Sequence, residues 1–578
     1  KDKSFNLAQT IEPQKHFSDF LINTEKIQGN FAFQPTNVFK TFKLIRNLKA
    51  KNSSGFDGLS SKLLKAVAIS ISSPITSIIN KCFSFNEFPS ELKISKLNPL
   101  FKKGNPTLLN SYRPISQNSC ISGIIEKTCI EQLVEHDLKN NITSDTQFGF
   151  RKLHSTSHAA LLVRHFIEQE RAKKNHVILI STDLSSAFDT INTVDILPGK
   201  MLYFGMSNES IKFLKSFFHC RKQYTTWNNK KSDLINLHNI SVVQGSSLGP
   251  LAFNLYVNDL ANSSTFFTVQ FADDSIFLLS AKNLDSLLEE AQSELNTILD
   301  YMSANYLSVN HSKCEFLVIR PSQRSQMSNL ALHIGNSLVV ESDTIKFLGV
   351  IFDYKINFKA QIKNVTSKLK KATGALIRTK EHLDYKSKLQ IYNGLVKHTI
   401  EYCSICWLDK ATKGEMMILS RLQKRCIRLI FRARFNSHTA KLFHISHIMP
   451  IQNIYEREAV YFIKKYQNNN LPKAFTTLIG DFSAKACQRK NQKYNIKIPP
   501  SYKPDQALYK IINAWNNCDI DLRVPSTLAY TKSLFSNLVF DQLDKLKCPS
   551  RNCFMCKRDA HIDFQKYAGK KSPQNTDA

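Results

Sequence analysis

An α+β fold is what this sequence predicts, and three features predict it. Short β-rich apolar runs alternate irregularly with helical stretches. Two of those runs flank the acidic pair Asp273-Asp274 as the arms of a hairpin would. From about residue 360 onward the pattern turns helical and basic.

The elements follow in chain order. Residues 1–95 read as mostly helical, with a polar break at Asn52-Ser53-Ser54-Gly55-Phe56-Asp57-Gly58, where Gly and Asp signal a turn. A basic loop, Lys102-Lys103-Gly104-Asn105-Pro106, comes next. Val177-Ile178-Leu179-Ile180 reads as a buried strand ending at Asp183. Phe266 to Phe271 and Ile276 to Leu279 are the two hairpin arms. A helix is expected over about 284–303, because Leu284, Leu287, Leu288, Ala291, Leu295, Ile298, Leu299 and Met302 recur three or four apart. Glu315-Phe316-Leu317-Val318-Ile319 is a further strand. Later, Leu419, Leu422, Cys426, Leu429 and Ile430 form an apolar stripe, with Arg421, Lys424, Arg425, Arg428 and Arg432 opposite. That basic side is either a solvated face or a surface that tracks a phosphate backbone. Cys403 and Cys406, beside Tyr402 and Trp407, suggest core packing. No internal repeat is visible, and the tail after Lys570 is expected to be disordered.

Composition narrows the function. The chain has 578 residues, enough for about three or four domains. Lys and Arg number 78 against 47 Asp and Glu, a formal net charge of +31. Such an excess points to a polyanion, most simply nucleic acid, although charge for solubility alone is the other reading. The 13 cysteines show no regular framework, which suggests free thiols in a reducing compartment. No apolar run reaches the ~18 residues of a membrane helix. The start, Lys1-Asp2-Lys3-Ser4, is read as that of a fragment or a processed chain.

Acids at strand ends suit nucleotidyl transfer. Two divalent ions about 4 Å apart can serve the attacking and leaving oxygens of such a displacement. Mg²⁺ takes oxygen ligands, usually one or two carboxylates plus substrate phosphates. Asp183, Asp273 and Asp274 are placed to converge if their strands are neighbours. An Asp pair alone is ordinary turn chemistry, so the surrounding motifs decide.

Phe271-Ala272-Asp273-Asp274 resembles the hairpin box of reverse transcriptases, and Asp183-Leu184-Ser185-Ser186-Ala187-Phe188-Asp189 resembles their first metal-binding box. Gln244-Gly245-Ser246-Ser247-Leu248-Gly249-Pro250-Leu251 resembles the box that positions nucleotide and template. Phe347-Leu348-Gly349-Val350 looks like the primer-grip hairpin. Tyr112-Arg113-Pro114-Ile115-Ser116 and Gln147-Phe148-Gly149-Phe150-Arg151 look like fingers motifs, and Gly55-Phe56-Asp57-Gly58 like an extra N-terminal motif. In this order they are similar to the reverse transcriptase of non-LTR, LINE-type and jockey-like, retrotransposons. The resemblance is tight over about residues 40–355 and looser to about 470.

The resemblance implies a right-hand polymerase with fingers, an antiparallel palm sheet and a helical thumb. It divides the chain into an N-terminal helical extension (1–95), fingers and palm (96–355), thumb (356–470) and a C-terminal region (471–578). It implies an RNA template, a DNA primer or target, deoxynucleotide triphosphates and two Mg²⁺ ions held by Asp183, Asp273 and Asp274. Phe188 takes the place of the steric gate against a 2′-OH, or is a core Phe. Gln244 and Gly245 approach the incoming nucleotide, or form a tight turn. Arg113 and Arg151 clamp the triphosphate, or make structural salt bridges. Lys313 is near the family's general acid for pyrophosphate, or is simply an exposed Lys. Asp189 is assigned to capping the following helix, and Asp259 to structure. The resemblance also implies action in the nucleus and in a cytoplasmic ribonucleoprotein.

Cys548, Cys553, Cys556 and His561 have a C-x4-C-x2-C-x4-H spacing that could hold Zn²⁺, or are spare cysteines. Neither a nuclease nor a ribonuclease H domain is recognised in the sequence. Two other readings stand beside the enzyme. One is a decayed or domesticated copy that only binds nucleic acid, favoured by Leu197-Pro198-Gly199-Lys200-Met201, where Pro is expected to break a helix. The other is a maturase or cellular reverse transcriptase.

Overall fold

A computed structural model describes residues 11, 13–185, 187–237, 242, 245–321, 330–482 and 494–545. The chain divides into two compact units. The first comprises 1–152, 178–316 and 329–341, and the second 153–177, 317–328 and 342–578.

The first unit opens with helices α1 (Val38–Arg46) and α2 (Ala68–Phe85). Asn37 starts α1 by accepting from the Lys40 N–H. The buried hydroxyls of Thr41 and Thr76 join the two helices at 2.8 Å. The break read at 52–58 is non-helical.

The strands that position the site are β1 (Ile94–Phe101), β2 (Tyr112–Gln117), β3 (His176–Thr182), β4 (Lys222–Trp227), β5 (Phe267–Phe271), β6 (Asp274–Ala281) and β7 (Glu315–Ile319). One five-stranded sheet contains the order β2-β1-β4, antiparallel between β1 and β2 and parallel between β1 and β4, with the short strands Lys230–Lys231 and Ile235–Asn236 pairing with β4. The other has the order β5-β6-β3-β7, with β5 and β6 forming an antiparallel hairpin. Val177, Ile178, Leu179 and Ile180 of β3 are fully buried, as are Ile276, Phe277 and Leu278 of β6. Continuous apolar runs are what strands covered on both faces require. Helix α3 (Leu284–Ala304) packs on β6 and buries Leu287, Ala291, Leu295 and Ile298. Each of the Leu and Ile side chains stabilises by about 2 kcal/mol, and Ala291 by less.

The first unit also holds a buried charge. Lys200 Nζ donates to Asp259 Oδ1 at 2.6 Å, to the Tyr256 carbonyl at 2.6 Å and to the Tyr301 hydroxyl at 3.3 Å. Burial lowers the Lys200 pKa, and Asp259 opposes that shift. Asp259 is therefore structural, as the sequence suggested. Lys200 sits in a helix spanning Ile196–Tyr203, so the expectation that Pro198 breaks a helix is corrected. Pro198 falls in the first turn, where a missing N–H leaves no helical bond unmade. Asp189 does not cap this helix either. It lies in the 3-10 turn Ala187–Asp189, and Asp195 precedes the helix.

The second unit is mostly helical, as read from about 360 onward. The spacing of Phe347-Leu348-Gly349-Val350 makes a hairpin of strands Thr344–Phe347 and Val350–Asp353. The helix Lys413–Ile430 buries Leu419, Cys426 and Ile430 and leaves Arg421 and Arg425 exposed. Cys403, Cys406 and Trp407 are core residues.

The helix Thr156–Ala172 belongs to this unit although it is distant in sequence from the rest. Its Arg164, fully buried, pairs with Glu168 at 2.9 Å and with Asp409 at 2.5 Å, and donates to the Cys406 carbonyl at 2.6 Å. Lys510 adds a second cation to Asp409 at 2.9 Å, and Glu168 accepts from the Ala507 N–H at 2.6 Å. One ion cluster thus ties together three segments that composition alone would keep apart.

Burial alone would raise the Asp409 carboxyl, but Arg164 and Lys510 hold it down at about 2. A carboxyl depressed on folding adds stability above its unfolded pKa of ~4 and loses it as pH falls toward the folded value. Urea unfolding of the second unit should therefore weaken between about pH 4 and pH 2. At neutral pH Asp409→Asn should cost about 3–5 kcal/mol, because Arg164 stays buried without its partner. An unchanged urea midpoint would refute this account.

Candidate active site

Asp183 follows the last residue of β3, so the strand delivers its carboxylate to the sheet end. The chain around it is tied to residues 308–310. Ser185 N–H donates to the Ser308 carbonyl at 2.8 Å, and Asn310 N–H to the Asp183 carbonyl at 2.7 Å. The short turn His311–Lys313 then brings the Lys313 ammonium to 2.6 Å from Asp183 Oδ2.

Asp273 and Asp274 stand at the tip of the β5–β6 hairpin. Phe271 pairs with Asp274, leaving Ala272 and Asp273 as a two-residue turn. Ala272 has φ +59°, a left-handed conformation that tight hairpin turns use and that normally favours Gly. Holding a non-glycine residue there costs of order 1 kcal/mol. Asp273 is half-buried and Asp274 exposed.

The charges at this tip act on one another. Burial raises the Asp273 carboxyl, its own backbone N–H opposes the shift, Asp183 adds to it, and Arg113 draws it back. Crowding by the protein raises Asp274, and the negative charges of Asp273 and Asp183 add to the effect. Asp183, Asp273, Asp274, Arg113 and Lys313 therefore share one electrostatic neighbourhood. Arg113 projects from β2, exposed and without a hydrogen bond among the described residues. Among those residues, no group of three or more His, Cys, Asp or Glu is arranged as a ready metal-ligand cluster.

The remaining site residues fall differently. Phe188 stacks on Phe253 with ring centroids 4.6 Å apart and meets the edge of Phe150 at 6.3 Å. It is only partly buried. Gly245 has φ +86°, and a Cβ there would run into the Ser116 carbonyl of β2. Only glycine fits so close a backbone approach. Arg151 turns inward, donating to the carbonyls of Ser144 at 2.7 Å and Gln147 at 3.1 Å. It fastens its own loop. Gln244 and the quartet Cys548, Cys553, Cys556 and His561 lie outside the described residues.

Two supporting residues gave no sequence signal. Glu126, buried, accepts from Ser246 Oγ at 2.8 Å and from the N–H groups of Ser247 at 2.6 Å and Leu248 at 3.3 Å. One carboxylate thus fixes the loop that carries Gly245, and Ser246 Oγ, which it holds, accepts from the Gly249 N–H at 3.1 Å at the start of the helix Gly249–Tyr256. Asn254, inside that helix, donates to the Gly149 carbonyl at 2.7 Å. Both lie within helical patterns where polar residues are common, so nothing marks them before folding.

Residues 101–352 match the family model described as reverse transcriptase (RNA-dependent DNA polymerase). The chain is 24% identical over 416 residues to the probable RNA-directed DNA polymerase from transposon BS of Drosophila melanogaster, covering 70% of this chain and 45% of that protein. It is 22% identical over 449 residues to the RNA-directed DNA polymerase from mobile element jockey of Drosophila funebris, covering 75% and 48%. Against the Pol polyprotein of the type-1 retrotransposable element R1 of Bradysia coprophila it is 25% identical over 405 residues, covering 68% and 39%. The chain thus spans less than half the length of each of these relatives. The acid-tipped hairpin, Asp183 and the loop around Gly245 all fall inside the segment that matches the reverse transcriptase model, and the chain is similar to RNA-directed DNA polymerases of mobile elements.

Proposed function

We propose that this chain is an RNA-directed DNA polymerase that extends a DNA 3′-OH on an RNA template with deoxynucleotide triphosphates. The observation that carries the reading is the strained two-residue turn that displays Asp273 and Asp274 within the electrostatic reach of Asp183. In this reading residues 96–355 are fingers and palm, 356–470 a helical thumb, 1–95 an extension and 471–578 a C-terminal region.

The donor set fits Mg²⁺. All three groups are hard carboxylate oxygens, and the neighbouring negative charge, which adds to burial in raising Asp273 and Asp274, is what a divalent cation offsets. Asp183, Asp273 and Asp274 would hold the two ions, which supply activation of the 3′-OH and charge stabilisation of the leaving pyrophosphate. The chain's own residues do the rest. Arg113 offers an unengaged guanidinium to the triphosphate. Lys313 neutralises Asp183 and brings a proton donor to the side where pyrophosphate leaves. Phe188, held by its stack on Phe253, sets a wall against a 2′-OH. The loop fixed by Glu126 presents Gly245 to the nucleotide, and the exposed Arg421 and Arg425 suit a phosphate backbone.

Three outcomes test this reading. With an RNA template, a DNA primer and Mg²⁺, Asp273→Asn should lower incorporation by at least about 100-fold while RNA binding and the melting temperature hold. A folded wild-type chain that shifts RNA in a gel but incorporates nothing would establish the binding-only alternative. Phe188→Val should raise the use of ribonucleotides relative to deoxynucleotides in single-nucleotide extension, and unchanged discrimination would remove the gate role. Lys313→Met should lower kcat for incorporation by about 100-fold or more. Its melting temperature should move little, since exposed ion pairs contribute under about 1 kcal/mol.

A further inference from the structure

Gln147 is fully buried, and its side chain has two ends with unequal duties. Its Oε1 accepts from the Gly149 N–H at 2.8 Å and from the Ala272 N–H at 3.1 Å. Its Nε2 is buried without a hydrogen-bond partner. Burying an unmet donor costs about 1–3 kcal/mol, so the accepting end must matter to this arrangement.

Ala272 is the residue at φ +59° in the turn that displays the acids. Around it the backbones are pressed together. Phe148 N–H donates to the Gln270 carbonyl at 2.8 Å, and Gln270 N–H to the Thr146 carbonyl at 3.0 Å. A Cβ on Gly149 would run into the Ala272 backbone nitrogen. Main-chain bonds thus bring residues 146–148 alongside β5, and the Gln147 side chain carries that alignment one step further to the tip.

We propose that Gln147 is a positioning residue for the acid hairpin. By accepting from both loops at once, its amide oxygen fixes where the turn holds Asp273 and Asp274. The catalytic consequence rests on the polymerase reading above, whereas the structural consequence does not.

Two variants separate acceptor from shape. Gln147→Met keeps the length and loses the strong acceptor. Gln147→Glu keeps an accepting oxygen at the same reach; in so buried a place its carboxyl is held protonated, and the second oxygen takes the position of the unpartnered Nε2. Hydrogen–deuterium exchange of the intact chain, read on peptides covering 268–276, needs no activity. Gln147→Met should exchange faster there while the helix Leu284–Ala304 stays protected, and Gln147→Glu should stay near wild type. In primer extension, Gln147→Met should lower kcat by about 100-fold, as expected when reacting groups are misplaced by an ångström. KM for the nucleotide should stay within a few-fold, and Gln147→Glu should recover most of kcat. Unchanged exchange at 268–276 in Gln147→Met would overturn the proposal, as would equal losses in the two variants or a loss confined to KM. A wild-type chain that incorporates nothing would overturn the polymerase reading instead and leave the exchange result to decide the role of Gln147.

Discussion

Like charges held close together repel, and the first unit is organised around that constraint. Asp183, Asp273 and Asp274 lie within reach of one another's fields, which add to burial in raising the carboxyls of Asp273 and Asp274. Nothing in the acids themselves favours the arrangement. It is held by the fully buried strands β3 and β6, by the bonds from residues 308–310 to the end of β3, and by the loop packed against the turn. A soft scaffold would let the carboxylates drift apart, because separation lowers their energy. The apolar burial under the strand ends is therefore as much a part of the site as the acids.

Both units also place full charges in their interiors. Lys200 with Asp259, and Arg164 with Asp409, are almost completely buried. The desolvation cost of such pairs can exceed their attraction, so neither is explained as a source of stability alone. Each joins elements far apart in sequence, and each leaves other packings with an unpaired ion. Tyr256 and Tyr301 around Lys200, and Glu168 and Lys510 around the Arg164 pair, supply the extra bonds that make the intended packing tolerable.

Much of this was legible in the sequence where one local rule acts alone. The runs at 177–180 and 276–279 read as strands because burial on both faces demands continuous apolar residues. The helix Leu284–Ala304 was visible in its spacing, and the hairpin in the acidic pair between two β-rich runs. What could not be read were partnerships. The spacing around Arg164 does not say that it will meet Asp409, 245 positions later. Glu126 looks like any surface Glu on a helix until the loop at 246–248 folds onto it. Pro198 was misjudged because its effect depends on its distance from the helix start, and that start was set by residues whose order gave no clear boundary. Arg151 had the right chemistry for a phosphate, yet its own loop uses it first.

On the proposed polymerase reading, the turn at Ala272 bears on how more than one nucleotide would be copied. Successive additions on a duplex require an advance of about 3.4 Å per step along each strand. A turn of two residues, with its amide held and no room beside Gly149 for even a methyl group, has no slack of that size. In that reading the acids would stay still while the helical product translated past them. Ratcheting would then belong to the nucleic acid and to whatever grips its backbone, with the hairpin as the fixed pawl.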